Sequence, residues 1–180
     1  MKVKKQIFVI IGSASKDSAN QKIVNYIVGL TKKVFEFTIL EDLKILPHFD
    51  PEASINNPPG EIIRLRENIE KADGVLICSP EYVFSIPSGL KNVIEWCVST
   101  TVFSDKPVGL ITASASGQKG HEELQLIMNT VMARFTGDTT LLIQGVKGKI
   151  SPEGEITDVS TVGQLNRFIE AFKDLVANEN

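Results

Sequence analysis

The feature that most constrains the fold is an uninterrupted apolar run at residues 7–11, followed by a loop of small residues and then a helical pattern. The run is rich in β-branched residues and has no polar alternation, which is typical of a strand buried on both faces of a parallel sheet. It stops at Gly12. Ser18-Ala19-Asn20-Gln21 then reads as a capping box with Ser18 as the N-cap. The sequence therefore predicts a central parallel strand whose end leads directly to a helix N-terminus.

The loop between this strand and this helix has the chemistry of an anion site. Backbone N–H groups and the macrodipole at a helix start favour negative charge, and small residues let a phosphate approach closely. Ser13, Ser15 and Ser18 add hydroxyl donors, Asn20 adds an amide and Lys16 a positive charge. The loop lacks the ending of a Walker loop and the further glycines of a dinucleotide fingerprint, so a monophosphate fits better than a pyrophosphate. An ordinary βα turn is the alternative interpretation.

Predicted strands and helices alternate along the rest of the chain. Strands are predicted at 6–11, 34–40, 74–78, 107–112 and 139–143, and helices at 19–30, 61–72, 88–99 and 120–135, with a last helix opened by a capping box at 161–164. Such alternation gives a parallel sheet with helices on both faces and right-handed crossovers. Five strands suit the doubly wound order 2-1-3-4-5. We therefore predict an α/β fold in one domain, residues 1–180.

Composition narrows the class of protein. With 180 residues and 42% hydrophobic content, the chain can bury a proper core. Its formal net charge of −3 argues against a nucleic-acid partner. No apolar stretch approaches the roughly 20 residues of a membrane span, so we expect a soluble, cytoplasmic protein without a membrane partner. Cys78 and Cys97 are interpreted as packing residues, and no metal site is expected.

Three unusual loops are predicted to meet at one edge of the sheet. In this strand order the ligand site lies beyond the carboxyl ends of the strands, where the order switches between the first and third strands. The loops there are 12–20 and the proline-containing 79–88, with the small-residue loop 113–120 beside them. Their convergence favours a phosphorylated ligand.

Two of these loops resemble one family, the NADPH-dependent FMN reductases, a flavodoxin-like group that includes bacterial quinone, azo-dye and chromate reductases. Segment 12–20, GSASKDSAN, resembles the family's phosphate loop Gly-Ser-x-Arg-x-x-Ser-x-Asn. Segment 80–96, PEYVFSIPSGLKNVIEW, is similar to its longer signature Pro-Glu-Tyr-Asn-x-Ser-x-Pro-x-x-Leu-Lys-Asn-x-Ile-Asp-Trp. Segment 43–50 also matches, so the resemblance covers nearly the whole chain.

The resemblance implies a flavodoxin-like fold and a role for each loop. FMN phosphate would lie on the first loop, segment 80–85 would hold the edge of the flavin ring, and the third loop would touch its other side. The implied cofactor-binding residues are Ser13, Ser15, Lys16, Ser18, Asn20, Pro80, Glu81, Tyr82, Val83, Phe84, Ser85, Ser114, Ala115, Ser116 and Gly117. No side chain is nominated as a catalytic acid, base or nucleophile, because the flavin carries the redox chemistry.

The implied activity is an NAD(P)H oxidoreductase. Hydride from NADPH or NADH would pass through bound FMN to a small-molecule acceptor, namely a quinone, an azo compound, a metal oxyanion or free flavin, by a ping-pong mechanism. The chain departs from the family at Ser15, where the family has Arg, and at Val83, where it has Asn. Two alternatives therefore stay open: a flavodoxin-like electron carrier, and a flavin-free binding or scaffold protein descended from the family.

Further expectations concern assembly and individual side chains. A homodimer or homotetramer is expected, through the segment around Phe49 and a helix face with Leu90, Ile94 and Val98. His121 is expected at the surface. Lys91 and Asn92 are expected to tie the long loop at 41–60 to the third predicted helix.

Overall fold

The computed structural model describes residues 3–178. Its strands are β1 (Lys5–Ile11), β2 (Phe35–Leu40), β3 (Gly74–Ser79), β4 (Val108–Ser114) and β5 (Thr140–Gln144). Its helices are α1 (Ala19–Thr31), α2 (Pro51–Asn56), α3 (Gly60–Lys71), α4 (Ser88–Glu95), α5 (Gln118–Thr130) and α6 (Val159–Ala177). Short 3-10 turns lie at Leu43–Ile45, Gly137–Thr139 and Val146–Lys149.

All five strands run parallel in one sheet with the order β2-β1-β3-β4-β5. Strand β1 lies between β2 and β3, and Val9 pairs with Ile39 on one side and Leu76 on the other. Residues 7–11 are buried, as their unbroken apolar character predicts. The α/β class and the order 2-1-3-4-5 are confirmed.

Helices cover both faces of the sheet. Successive side chains of a strand point to opposite faces. Val9 of β1 therefore belongs to the core that includes residues of α1 and α6, whereas Ile10 belongs to the core that includes residues of α3, α4 and α5. In α1, residues at helical spacing face the sheet, among them Ile23 and Ile27. This arrangement leaves the carboxyl edge of the sheet for the connecting loops.

Several helix boundaries differ from the prediction. Helix α2 was missed within the long proline-containing segment; Asp50 caps it by accepting from the N–H groups of Glu52 and Ala53, and Pro51 occupies its first turn, where its missing N–H costs nothing. The capping box predicted at Thr161 is wrong. Helix α6 begins at Val159 with Asp158 as N-cap, whose carboxylate accepts from the N–H and the hydroxyl of Thr161.

The two central helices are also shorter than predicted. Helix α4 ends at Glu95, four residues before its predicted end, and its N-cap is Pro87. Helix α5 ends at Thr130, ahead of the positive φ of 61° at Met132. Each helix stops where tight turns begin.

The segment after β2 is fastened to α4 by two side chains. Asn92 accepts from the N–H of Phe49 at 2.8 Å and donates to the carbonyl of Pro47 at 2.9 Å. The indole N–H of Trp96 donates to the same carbonyl at 2.8 Å, and its ring meets Phe49 edge to face. The prediction that Asn92 ties the long loop to the helix is confirmed, whereas the same role for Lys91 stays a prediction.

The helix face proposed for assembly is mostly internal. Leu90 and Ile94 are buried in the core beside the sheet, because they lie on the side of α4 that packs against β1 and β3. Their predicted role in assembly is therefore wrong, whereas Val98 is exposed. No helix within residues 3–178 is long and apolar enough to cross a membrane.

Candidate functional site

A cavity of about 840 Å³ opens at the carboxyl edge of the sheet, where the strand order switches between β1 and β3. Its volume lies within the range of small-molecule and cofactor sites. Four segments of the chain line it: the loop after β1, the segment after β2, the loop after β3 and the start of α4. The lining residues are 11–17, Gln21, 41–44, Leu46, His48, Tyr82, 87–89 and Asn92.

The loop after β1 ends at the N-terminus of α1. Ser18 caps this helix by accepting from the N–H of Gln21 at 3.2 Å, so its prediction as N-cap is confirmed. The side-chain NH2 group of Gln21 donates to Asn25 and Glu41. Asp17 has a φ of 52°, which turns the chain into the helix. The helix start has the polarity and the small neighbours that anion binding requires.

The five polar residues predicted for this loop fall into two groups, one at the cavity wall and one away from it. Ser13, Ser15 and Lys16 line the cavity. Ser18 and Asn20 stand behind it. The Asn20 amide is buried and donates to the carbonyl of Ala113 at 3.3 Å, which ties the helix start to the end of β4.

The loop after β3 forms a tight two-residue turn. The N–H of Tyr82 donates to the carbonyl of Ser85 at 2.9 Å, and the reverse bond measures 3.0 Å. Val83 and Phe84 form its exposed tip, and Tyr82 lines the cavity. Pro80 is buried beneath the turn. Of the residues predicted from this loop, only Tyr82 therefore reaches the cavity wall.

The loop after β4 lies beside that turn. Ser114, Ala115, Ser116 and Gly117 do not line the cavity; Gly117, with a φ of 86°, is the N-cap of α5. The Glu81 carboxylate accepts from the N–H of Gly117 at 3.2 Å and of Gly120 at 2.8 Å. A carboxylate from the chain itself therefore occupies the start of α5, whereas the start of α4 has no side-chain cap and borders the cavity.

The charged residues of the cavity come partly from the segment after β2. Lys44 lines it, as the predicted Lys16 does, together with Glu41 and Asp42. The Asp42 carboxylate accepts from the N–H of Lys44 at 3.1 Å. No side chain of this segment was predicted at the site, although residues 43–50 match the family. Long loops in compact domains are often functional.

Three titratable groups, one histidine and two cysteines, are partly or fully buried. His121 is half-buried, and its Nδ1 lies 2.9 Å from the Thr112 hydroxyl, so the expectation of a surface histidine is wrong. Burial lowers the pKa of His121, although Glu122 acts in the opposite direction. Burial raises the pKa of the Cys97 thiol to about 12 and that of Cys78 further still. Neither thiol is therefore a nucleophile at neutral pH.

Comparison with known proteins decides the family. The family model described as "NADPH-dependent FMN reductase" matches residues 6–147. The chain belongs to the NADPH-dependent FMN reductase family. As a member, it is an oxidoreductase that uses FMN and NAD(P)H.

The relatives of this FMN reductase agree in length and in fold. It is 28% identical to the quinone reductase of Escherichia coli K12, over 98% of this chain and 97% of that one. It is 27% identical to the 2-hydroxy-1,4-benzoquinone reductase of a Burkholderia species, over 93% of each chain. The solved structure of the flavoenzyme NAD(P)H:(acceptor) oxidoreductase FerB from Paracoccus denitrificans superposes with a TM-score of 0.77 at 26% identity, covering 96% and 97% of the two chains.

The residues at the cavity fit FMN. The reductase presents hydroxyl and N–H donors at the start of α1 with Lys16 beside them, as a phosphomonoester requires. The cavity is large enough for the rest of the cofactor. Within residues 3–178, no group of three or more His, Cys, Asp or Glu side chains is arranged to hold a metal ion.

Proposed function

We propose that this FMN reductase transfers hydride from NAD(P)H through FMN to a quinone by a ping-pong mechanism. The observation that carries the proposal is a single cavity at the switch point that joins the phosphate loop to Tyr82 and the start of α4. The names of its relatives, quinone reductase and 2-hydroxy-1,4-benzoquinone reductase, favour a quinone as acceptor.

Each segment has a distinct task in this proposal. Ser13, Ser15 and Lys16 hold the phosphate at the start of α1, with Ser18 and Asn20 fixing the helix behind them. The turn at 82–85 holds the edge of the ring. When bound, FMN supplies the redox chemistry by accepting hydride and passing electrons onward.

The protein's electrostatic contribution comes from its helices. The N-termini of α1 and α4 both border the cavity, and each carries the equivalent of about half a positive charge. This potential favours a bound phosphate and any negative charge that develops at the site during reduction. Proton transfer by a side chain is not required by this scheme.

Steady-state kinetics test the mechanism. Because both substrates would use the same open site in turn, double-reciprocal plots at several quinone concentrations should be parallel. Intersecting lines would contradict a shared site. An azo dye, chromate and free FMN in place of the quinone would rank the acceptors, and a quinone should give the highest kcat/KM.

We also propose that the protein is a homodimer or homotetramer in the cytoplasm. Ile55 on α2 and Val98 beyond α4 are large exposed apolar residues, and Ser54 and Ser99 next to them are hydrogen-bonded at 2.8 Å. The two free buried thiols suit a reducing compartment. Light scattering at micromolar concentration should give a multiple of the 19.8 kDa chain mass; a monomer would contradict the assembly.

A further inference from the structure

The turn after β3 is strained at its exposed tip. Val83 and Phe84 have φ values of 51° and 60°, and two successive positive φ values are those of a type I′ turn. Such turns favour Asn and Gly, and a β-branched residue in the left-handed region is a genuine outlier. Val83 is 94% exposed and Phe84 is 75% exposed, so packing of their side chains does not offset the strain.

Two carboxylates hold this strained turn from either end. Before it, Glu81 binds the N–H groups of Gly117 and Gly120 at the start of α5. After it, Glu123 of α5 accepts with one oxygen from the Ser85 hydroxyl at 2.6 Å and from the N–H of Ile86 at 2.8 Å. The turn is therefore fastened to α5 on both sides by charge-assisted hydrogen bonds, which are stronger than neutral ones.

Close packing reinforces this attachment. A Cβ on Gly120 would lie 3.2 Å from Cβ of Glu81 and 3.3 Å from the carbonyl oxygen of Ser85. Helix α5 thus approaches the base of the turn as closely as a glycine allows. A strained backbone conformation persists only where contacts with the surrounding structure outweigh its energetic cost. The hydrogen bonds and close packing against α5 are such contacts.

We propose that Glu123 is a positioning residue for the cofactor site: it acts through Ser85 and Ile86 to hold the Tyr82–Ser85 turn against the cavity in its strained conformation. The proposal rests on the FMN site described above. Glu123 does not line the cavity, whereas Tyr82, at the opposite end of the turn, does. Loss of the Glu123 carboxylate should therefore let the turn relax and should weaken FMN binding without removing a cavity residue.

The test is a double-mutant cycle read by FMN titration of the apoprotein. Glu123→Ala should raise the FMN Kd about tenfold, the equivalent of ~1.4 kcal/mol. Glu123→Gln retains an acceptor oxygen for both donors and should stay within about threefold of the wild type. The matched control is Glu122→Ala, on the same turn of α5, whose carboxylate is exposed and binds Lys119 and Gln118. Its Kd should not change.

The second arm of the cycle removes the strain itself. In a Val83→Asn/Phe84→Gly background the turn has the residues that its conformation favours, so it should no longer need Glu123. Adding Glu123→Ala there should change Kd by less than about twofold, against the tenfold effect in the native turn. A role in overall stability alone would not depend on the residues at the turn tip.

Three outcomes would overturn the proposal: an unchanged Kd in Glu123→Ala, an equal loss in Glu122→Ala, or the same loss in both turn backgrounds. If Glu123→Ala does not fold, Glu123→Met is used in its place in every arm of the cycle. Methionine keeps the length of the side chain but has no oxygen acceptor. Binding of FMN by the wild type is measured in the same titrations. A failure of the site itself is therefore distinguished from a failure of the positioning role.

Discussion

Gly12 lies directly against Ser79, where the ends of β1 and β3 meet beneath the phosphate loop. A Cβ on Gly12 would come within 2.3 Å of the Ser79 hydroxyl oxygen and 2.7 Å of its Cβ. The N–H of Gly12 also donates to the carbonyl of Cys78 at 2.9 Å, so the backbone cannot withdraw without losing this bond. The position of the loop therefore requires a residue without a side chain at Gly12.

Replacement of Gly12 should consequently damage both stability and cofactor binding. We expect Gly12→Ala to lower the free energy of unfolding by about 1–3 kcal/mol, the usual range for overpacking, and Ser79→Gly in the same chain to restore most of it. Gly29→Ala in helix α1 is the matched control, because a Cβ added at Gly29 would have no neighbouring atom within 4 Å. It should stabilise slightly. Urea unfolding of the wild type, the two single variants and the double variant gives these free energies. A Gly12→Ala protein as stable as the wild type would contradict the contact with Ser79.

The N-cap of α1 allows a separate test of the phosphate loop. Ser18→Ala removes the acceptor for the N–H of Gln21 and should cost about 1 kcal/mol of stability. FMN binding should weaken as well, because the helix start would fray beneath the phosphate. Ser160→Ala, an exposed change in the first turn of α6, is the control. Equal effects of the two substitutions on FMN affinity would argue against a phosphate at the start of α1.

The cations of the cavity should contribute modestly to FMN affinity. A bound phosphate carries nearly two negative charges, and the helix supplies only about half a positive charge. Lys16→Ala should weaken FMN binding by about 1 kcal/mol, with a smaller loss at high salt. Ser15→Arg should tighten it. Lys33→Ala, at the other end of α1, should have no effect. If Lys16→Ala changes neither affinity nor its salt dependence, the loop holds phosphate through N–H and hydroxyl groups alone.

His121 should make the folded protein sensitive to mild acid. Because burial holds its pKa below the ordinary value of 6.5, the unfolded chain binds the proton more readily than the folded chain. The stability linked to His121 is therefore fully present above about pH 6.5 and is lost as the pH falls through the folded pKa. His121→Gln should flatten the dependence of unfolding free energy on pH between about 7 and 5. Titration of the ring by NMR gives the direct check: a midpoint at or above 6.5 would contradict this assignment.

Local sequence pattern was sufficient to predict the sheet and the start of α1. The unbroken apolar run of β1 specified a strand buried on both faces, and Ser18 specified the start of α1. The start of a helix was harder to predict where two nearby residues could each act as the N-cap. Thr161 looked like an N-cap, but Asp158 precedes it by three residues and its carboxylate accepts from the Thr161 N–H. A carboxylate also interacts more favourably with the helix macrodipole than a hydroxyl does.

The remainder of the site depends on contacts between residues far apart in the chain. The cavity wall at 41–48 is set by Asn92, which binds the backbone at Pro47 and Phe49 more than forty positions earlier. The family resemblance implied that Glu81 binds the cofactor, whereas its carboxylate accepts from the N–H groups of Gly117 and Gly120 at the start of α5. Propensity and periodicity describe single elements and carry no information on such pairings. The tie through Asn92 was predicted, but the backbone groups that it binds were not.

The central claim is that this chain holds FMN and passes electrons from NAD(P)H to a quinone, and an anaerobic half-reaction experiment tests it most directly. The purified protein, loaded with FMN, should absorb at about 450 nm, as bound flavins do. Addition of NADH or NADPH should bleach this band, and one equivalent of benzoquinone should then restore it. An electron carrier would not be bleached by either nucleotide. Failure of both nucleotides to bleach the band, or failure of the quinone to restore it, would contradict the account.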